Sequence, residues 1–291
     1  MINLCLFELI LYFYSDFFIY YSPFMNYLIS MENLFSYSPI QYFTVSHLLA
    51  LGFAVMLWGL VYFLMTVRQT SAKYRVLSAL SGVVMVSAFL ILFFQWQSWE
   101  NAFVFNELTW MFERQADKIF TNWYRYLNWL IDVPMLLIQI LFVVTLWAAK
   151  RFKLWSQFVF SWAAMIILWY VGQFYESTDT TALLVWGALS TIFFLHILYL
   201  MNKILKDWSK DQSIAPGARK ILKNIWILFM ISWTLYIVAY LMPVISMSAD
   251  GVVVRQLVFT VADISSKVIY GIMLMQAVII RSKEEEGYVL S

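Results

Sequence analysis

Long apolar runs separated by short polar segments dominate this chain. Seven of these runs have about 20 residues, the length that a helix needs to cross the hydrocarbon core of a bilayer. They cover residues 43–67, 76–94, 126–147, 154–173, 181–201, 225–242 and 257–280. The pattern predicts an all-α membrane protein with seven transmembrane helices.

The segments outside these runs are short, with two exceptions. Residues 95–125 mix aromatic with charged side chains, which favours a hairpin or an amphipathic cap on the surface. Residues 1–30 are aromatic and apolar but lack the positive start of a signal peptide, and they are either an extracellular or interfacial segment or an extension upstream of the natural start. We therefore expect three parts: an extracellular or interfacial segment over 1–42, a seven-helix domain over 43–282, and a cytoplasmic tail over 283–291.

Basic residues are distributed unequally between the two sets of loops. Fourteen Lys and Arg follow the first, third and fifth runs or lie near the C-terminus, whereas four lie on the other side. Because cytoplasmic loops are enriched in Lys and Arg, this predicts an outer N-terminus and a cytoplasmic C-terminus in the plasma or inner membrane.

Composition excludes several classes of function. The chain is 63% hydrophobic and 12% charged, whereas a soluble domain has roughly 25% charged residues. A net charge of +2 does not favour nucleic-acid binding. Cys5, His47 and His196 form no sequence pattern of a metal site, and there is no nucleophile triad or phosphate loop. We expect a membrane protein that is not an enzyme.

Three formally charged residues lie well inside the runs: Asp132, Asp263 and Lys267. Such residues are costly in a bilayer and are functional candidates by default, although a mutually neutralised structural pair is the alternative. Asp263 and Lys267 are four residues apart, so a helix places them on one face. A buried lysine amine can also form a Schiff base with an aldehyde.

The third run carries a second polar stripe. Arg125, Asn128, Asp132 and Gln139 follow one another at spacings of three, four and seven residues, which fall on one helical face. Two polar stripes within apolar helices imply an interior pathway.

These motifs resemble the microbial rhodopsins over residues 43–282. The stretch 125–139 is similar to the third helix of that family, and Asp263-Ile-Ser-Ser-Lys267 is similar to its retinal attachment motif. The resemblance implies a seven-helix bundle of the microbial rhodopsin type with all-trans retinal bound covalently to Lys267. The residues expected to border the retinal are Trp129, Trp233, Tyr236 and Gly187.

The Asn128-Asp132-Gln139 triplet resembles that of the light-driven sodium pumps. This implies that Asp132 accepts the Schiff base proton and that sodium rests transiently near Asn128 and Asp263 during outward transport. Further candidates on the ion path are Ser87 and Gln139 on the uptake side, and Arg125, Glu176 and Arg255 on the exit side. Glu32 is an additional candidate near the exit, and Glu176 with Arg255 form either an outer gate or a surface pair of no consequence.

The sequence leaves functions other than sodium pumping open. Asp132 would also serve an outward proton pump, including pumping of protons when sodium is absent, and a photosensor is the alternative of another class. The chain departs from the sodium pumps at Ser78 and Met275, at the uptake mouth, and at Ile237, where a proline is usual. The resemblance further implies a homo-oligomer in the bilayer, with a pentamer as the expected state.

Overall fold

The computed structural model describes residues 30–144, 148–209 and 216–286. Seven helices in these ranges are long and apolar enough to cross a membrane, as predicted. The first six are α1 (Pro39–Thr66), α2 (Arg75–Ala102), α3 (Trp123–Val143), α4 (Ala148–Gln173), α5 (Thr180–Ser209) and α6 (Pro216–Tyr240). The seventh, α7, has three consecutive parts: Ala249–Asp263, a π-helical turn Ile264–Ile269, and Tyr270–Glu286. Much of the expected N-terminal segment, residues 1–29, lies outside the described residues.

A small β-hairpin interrupts the otherwise helical fold between α2 and α3. Strands β1 (Phe103–Asn106) and β2 (Met111–Arg114) pair antiparallel, with Phe103 opposite Arg114. Tyr37 extends this pairing through a bridge to Phe112. Of the two structures expected for 95–125, the hairpin is therefore confirmed, and the predicted all-α class holds apart from these two strands.

Several helices begin earlier or end later than the apolar runs. α1 starts at Pro39 because Ser38 caps it: the Ser38 hydroxyl accepts from the Gln41 N–H, and the Gln41 side chain accepts from the Ser38 N–H. α6 starts at Pro216, nine residues before its apolar run. Hydropathy marks the part of a helix inside the bilayer, and these helices continue past it.

Apolar side chains lie both inside the bundle and on its outer face, whereas the intramembrane charges lie only inside. Large apolar residues such as Leu64, Phe160 and Ile192 are exposed on the outer face, where lipid would cover them. In contrast, the intramembrane charges Asp132, Asp263 and Lys267 are all buried. The charged residues of the two predicted polar stripes therefore lie inside the bundle.

Hydrogen bonds between α3 and α7 show at which height along the bundle each polar group lies. The Tyr270 hydroxyl donates to the Leu136 carbonyl at 2.6 Å, and Arg281 Nη1 donates to the Val143 carbonyl at 2.6 Å. The two helices consequently run in the same direction, with Lys267 between the level of Arg125 and that of Gln139.

Candidate functional site

Lys267 lies in the π-helical turn of α7. The Tyr270 N–H donates to the Ser265 carbonyl, five residues back, which is the hydrogen bond of a π-helix. Lys267 Nζ contacts Asp263 Oδ1, and both side chains are buried. The predicted neighbourhood of these two residues is confirmed, and π-helical turns frequently occur at functional sites.

Asp263 is shared between two cations and a phenol. Its Oδ2 pairs with Arg125 Nη1, and its Oδ1 accepts from the Tyr236 hydroxyl at 2.8 Å. The Tyr236 hydroxyl also lies 2.9 Å from Ser266 Oγ. Because hydrogen bonds and opposite charges stabilise a carboxylate, Asp263 is held as the fixed anion beside Lys267.

Asp132 is the opposite case. Its side chain is fully buried on α3, and neither carboxyl oxygen has a hydrogen-bond partner in the described part of the chain. Its polar neighbours are Ser87, Asn128 and Lys267. A buried carboxylate without partners is unfavourable, so Asp132 is well placed to accept a proton.

The remaining residues of the α3 stripe contact α2. Asn128 Nδ2 donates to Ser87 Oγ at 3.2 Å, which leaves the Asn128 carbonyl oxygen without a partner among the described residues. Gln139 Nε2 donates to Ser81 Oγ at 2.9 Å and to the Leu77 carbonyl at 3.0 Å. The predicted stripe is thus buried along its whole length, and Asn128 offers a free oxygen ligand.

An apolar cavity of about 460 Å³ ends at Lys267. The residues expected from the sequence are all in its wall: Trp129, Trp233, Tyr236 and Gly187. Trp129 stacks on Trp169 with ring centroids 5.4 Å apart. A long apolar chain with an aldehyde end fits this combination of aromatic walls and a terminal amine.

Some residues of the cavity wall were not predicted from the sequence, among them Trp169, Tyr240 and Ser266. Signals for two of them exist, because Tyr240 lies one turn after Tyr236 and Ser266 precedes Lys267. A Cβ atom on Gly187 would lie 2.7 Å from the ring of Tyr240. Gly187 is therefore both a wall residue and a packing glycine.

A second polar group surrounds Arg255, and we name it the Arg255 cluster: Glu32, Asn122, Glu176, Arg255 and Gln256. Arg255 Nη2 donates to Glu176 Oε2 at 2.8 Å, and Arg255 Nη1 lies 3.3 Å from Glu32 Oε2. Both acids and the arginine are buried. The alternative that Glu176 and Arg255 form a surface pair is therefore wrong.

Gln256 connects this cluster to the lysine site. Gln256 Nε2 donates to Glu32 Oε1 at 2.8 Å, and Gln256 Oε1 accepts from Arg125 Nη2 at 3.1 Å. A continuous chain of contacts thus runs from Lys267 through Asp263, Arg125 and Gln256 to Glu32. Gln256 and Asn122 were not predicted from the sequence, although Gln256 lies seven residues before Asp263 and hence on its helical face.

The Arg255 cluster holds two carboxyl groups for one arginine. Burial raises the pKa of Glu176, and the nearby Glu32 charge adds to this effect, while Arg255 opposes it. The pKa of Tyr37, whose ring packs beside the cluster, is also raised by burial and by Glu32. One arginine does not fully compensate two buried acids, so Glu176 binds a proton more readily than an exposed glutamate.

The three positions where the sequence departs from the sodium-pump pattern also have defined surroundings. Ser78 Oγ lies 3.3 Å from Met275 Sδ, and both side chains are buried. Ile237 lines the cavity. Ser78 and Met275 thus bring a hydroxyl of α2 and a thioether of α7 into contact inside the bundle.

Comparisons with known proteins agree with this geometry. Residues 43–281 match the family described as bacteriorhodopsin-like protein. Bacteriorhodopsin-II of Haloarcula marismortui is 25% identical over 79% of this chain and 86% of its own length. Halorhodopsin of Halobacterium sp. is 27% identical over 56% of this chain, and the match spans about half (55%) of the halorhodopsin.

Solved structures extend the similarity to three dimensions. A thermophilic rhodopsin has a TM-score of 0.80 and 28% identity, covering 86% of this chain and 98% of its own. Xanthorhodopsin, described as a light-driven ion pump with dual chromophore, has a TM-score of 0.78 and 29% identity, covering 88% of this chain and 99% of its own. The family match covers most of the chain, and so this protein belongs to the bacteriorhodopsin-like family of microbial rhodopsins, whose members bind retinal through a lysine Schiff base.

Proposed function

We propose that this protein is a light-driven outward sodium pump. The observation that carries the proposal is the partnerless, buried carboxyl of Asp132 near Lys267, with the free amide oxygen of Asn128 on the same helix face. Gln139, an amide, occupies the position beyond Asp132 along this face. An amide cannot donate a carboxylic proton, so the stripe is poorly suited to resupply protons from that side.

Lys267 would hold retinal, and Trp129, Trp233, Tyr236 and Gly187 would border it. When bound, all-trans retinal supplies light absorption and a positively charged nitrogen at Lys267. Asp263 and Arg125 hold a fixed charge pair on one side of that nitrogen, and Asp132 offers a basic oxygen without competing hydrogen bonds. The chain thereby separates a permanent counter-ion, Asp263, from a proton acceptor, Asp132.

Proton transfer from Lys267 Nζ to Asp132 would remove two charges at once. A cation close to a positive nitrogen is strongly repelled at low dielectric, so loss of this charge lowers the barrier to sodium. Asn128 Oδ1 and Asp263 then provide oxygen ligands of the kind that sodium binds. Return of the proton to Nζ restores the positive barrier behind the ion.

Uptake and exit would use different sets of residues. Sodium would enter past Gln139 and Ser87 and leave past Arg125 through the Arg255 cluster. The excess of Lys and Arg in the loops on the Gln139 side supports a cytoplasmic uptake side and an outer N-terminus. The family resemblance also supports a homo-oligomer in the membrane, and we expect a pentamer by native mass measurement.

An outward proton pump is the second candidate. The contact chain from Lys267 through Asp263, Arg125 and Gln256 to Glu32 favours it, because linked polar groups on the exit side can carry a proton away from Lys267. The same residues would then work as a proton pump when sodium is absent.

Light-driven pH changes of cells in NaCl and in KCl separate the two functions. A sodium pump alkalinises the NaCl medium, because protons enter passively as sodium leaves, and a protonophore enlarges this signal. A proton pump acidifies the medium, and a protonophore abolishes the signal. Lys267→Ala serves as the control without pigment; acidification of the NaCl medium would overturn the sodium assignment.

A further inference from the structure

The cavity that ends at Lys267 also reaches the lipid-facing surface of the bundle. Three of its wall residues on α5 are largely exposed: Leu184 at 43%, Ile192 at 60% and Leu195 at 57%. Ala188, between them, is exposed as well, whereas Lys267 at the other end is 2% exposed. A single apolar cavity thus joins a buried amine to the outside of the bundle.

The opposite rim of this opening belongs to α6. Ile237 and Leu241 line the cavity and are partly exposed. The opening therefore lies between α5 and α6, at a level where the exposed faces of both helices are apolar. Lipid hydrocarbon, rather than water, would meet it there.

Among the residues that the structure describes, the two ends of the bundle offer no comparable access to Lys267. Towards the Arg255 cluster, the way is occupied by Arg125 and Gln256 and their ion pair and hydrogen bonds. Towards Gln139 it is packed with buried apolar side chains: Leu136, Leu137, Ile140 and Leu274. Passage of a bulky molecule through either end would break buried polar contacts or open close-packed side chains, both of which are costly.

We propose that the opening between α5 and α6 is a lateral portal through which retinal passes from the bilayer to Lys267. We define the lateral portal by Leu184, Ala188, Ile192, Ile237 and Leu241. A long apolar polyene aldehyde partitions into hydrocarbon, so the bilayer is its reservoir, and an apolar opening lets it reach the amine without crossing water. This inference rests on retinal attachment to Lys267.

A bulky group that is attached beside the opening after the protein has folded tests the lateral portal. Ala188→Cys is made in a Cys5→Ser background, purified without retinal into lipid vesicles, and labelled with a bulky maleimide. The matched control is Val185→Cys with the same label, because Val185 is 52% exposed on α5 but does not line the cavity. All-trans retinal is then supplied from donor vesicles, and the rate and final extent of the visible absorption band are recorded.

We expect the label at position 188 to slow pigment formation about tenfold or more, which a barrier increase of about 1.4 kcal/mol suffices to produce. Each labelled protein is compared with the same variant before labelling, and the label on Val185→Cys should leave the rate of pigment formation unchanged. Equal rates with and without the label at position 188, or equal slowing by both labels, would overturn the portal. If the parent forms no pigment at all, attachment at Lys267 is wrong, and the portal falls with it.

Discussion

Polar side chains are distributed unequally on the two sides of Lys267. On the Arg255 side, two arginines, three acids and several amides form a connected set of buried contacts. On the Gln139 side, one buried amide is held by Ser81 and by the Leu77 carbonyl among apolar side chains and hydroxyls. Arg281 is the one buried charge among the described residues of that side. The Arg255 side is therefore a preformed path of polar groups, whereas the Gln139 side is closed by packed side chains.

This difference indicates how a one-way pump can be closed at rest. An ion on the Gln139 side would lose its water and find few ligands, which is unfavourable in an apolar medium. An ion on the Arg255 side finds carboxylate and amide oxygens. Under the proposed function, the uptake side would open during the light cycle, while the release side would need only a rearrangement of contacts that already exist.

The largest expected effect is a loss of stability when Arg255 is removed. Arg255→Met leaves Glu32 and Glu176 buried without their cation, and such a change typically costs about 3–5 kcal/mol. Thermal unfolding in detergent would show a large decrease in Tm, whereas Arg75→Met, at an exposed arginine, should have little effect. Combining Arg255→Met with Glu32→Gln and Glu176→Gln should recover part of the loss; no recovery would argue against the charge explanation.

The second effect concerns Asp132, which lies between the two sides. Asp132→Asn removes the acceptor, and loss of a proton-transfer group typically reduces the rate by about a hundredfold or more. Flash spectroscopy should show no deprotonated intermediate, and sodium transport should be lost. Asp250→Asn, at an exposed aspartate, is the control. A deprotonated intermediate that persists in Asp132→Asn would refute the assignment.

A smaller effect is expected on the Gln139 side. Gln139→Leu leaves the buried Ser81 hydroxyl without its amide partner, so the free energy of unfolding should fall by about 1–3 kcal/mol. Sodium transport should nevertheless slow, because the buried amide of the described part of the uptake side is lost. A stability loss as large as that of Arg255→Met would contradict the contrast between the two sides.

The smallest effect is a pH dependence of stability from Glu176. Its pKa is raised in the folded state from an ordinary value of 4.5, so the folded protein keeps a proton that the unfolded chain loses. Stability should therefore fall as the pH rises above that ordinary value and through the raised pKa. Comparison of Tm against pH for the wild type and Glu176→Gln tests this, since the variant should lack this decrease. A rise of stability over the same range would reverse the sign and contradict the assignment.

Local geometry accounts for what the sequence could predict. The contact of Asp263 with Lys267 and the buried stripe on α3 follow from helical spacing, and seven apolar runs follow from bilayer thickness. Helix ends beyond the bilayer could not be read from hydropathy; α2, for example, continues to Ala102, eight residues past its apolar run. The π-helical turn around Lys267 has no comparable sequence signal.

Contacts between distant parts of the chain could not be predicted in the same way. Glu32 and Gln256 are 224 residues apart, and only the packing of the first described residues against α7 brings them together. Burial of Glu176 with Arg255 likewise depends on the loop after α4. Sequence patterns thus identified the lysine site but not the connected path that leads away from it.

Light-driven movement of a radioactive sodium tracer out of sealed vesicles, oriented with the uptake side inside, tests the central claim most directly. The account predicts tracer loss in the light by the wild type, none by Asp132→Asn, and no inhibition by a protonophore. Light-independent tracer loss, or an equal electrical response with potassium in place of sodium, would contradict sodium transport gated by Asp132.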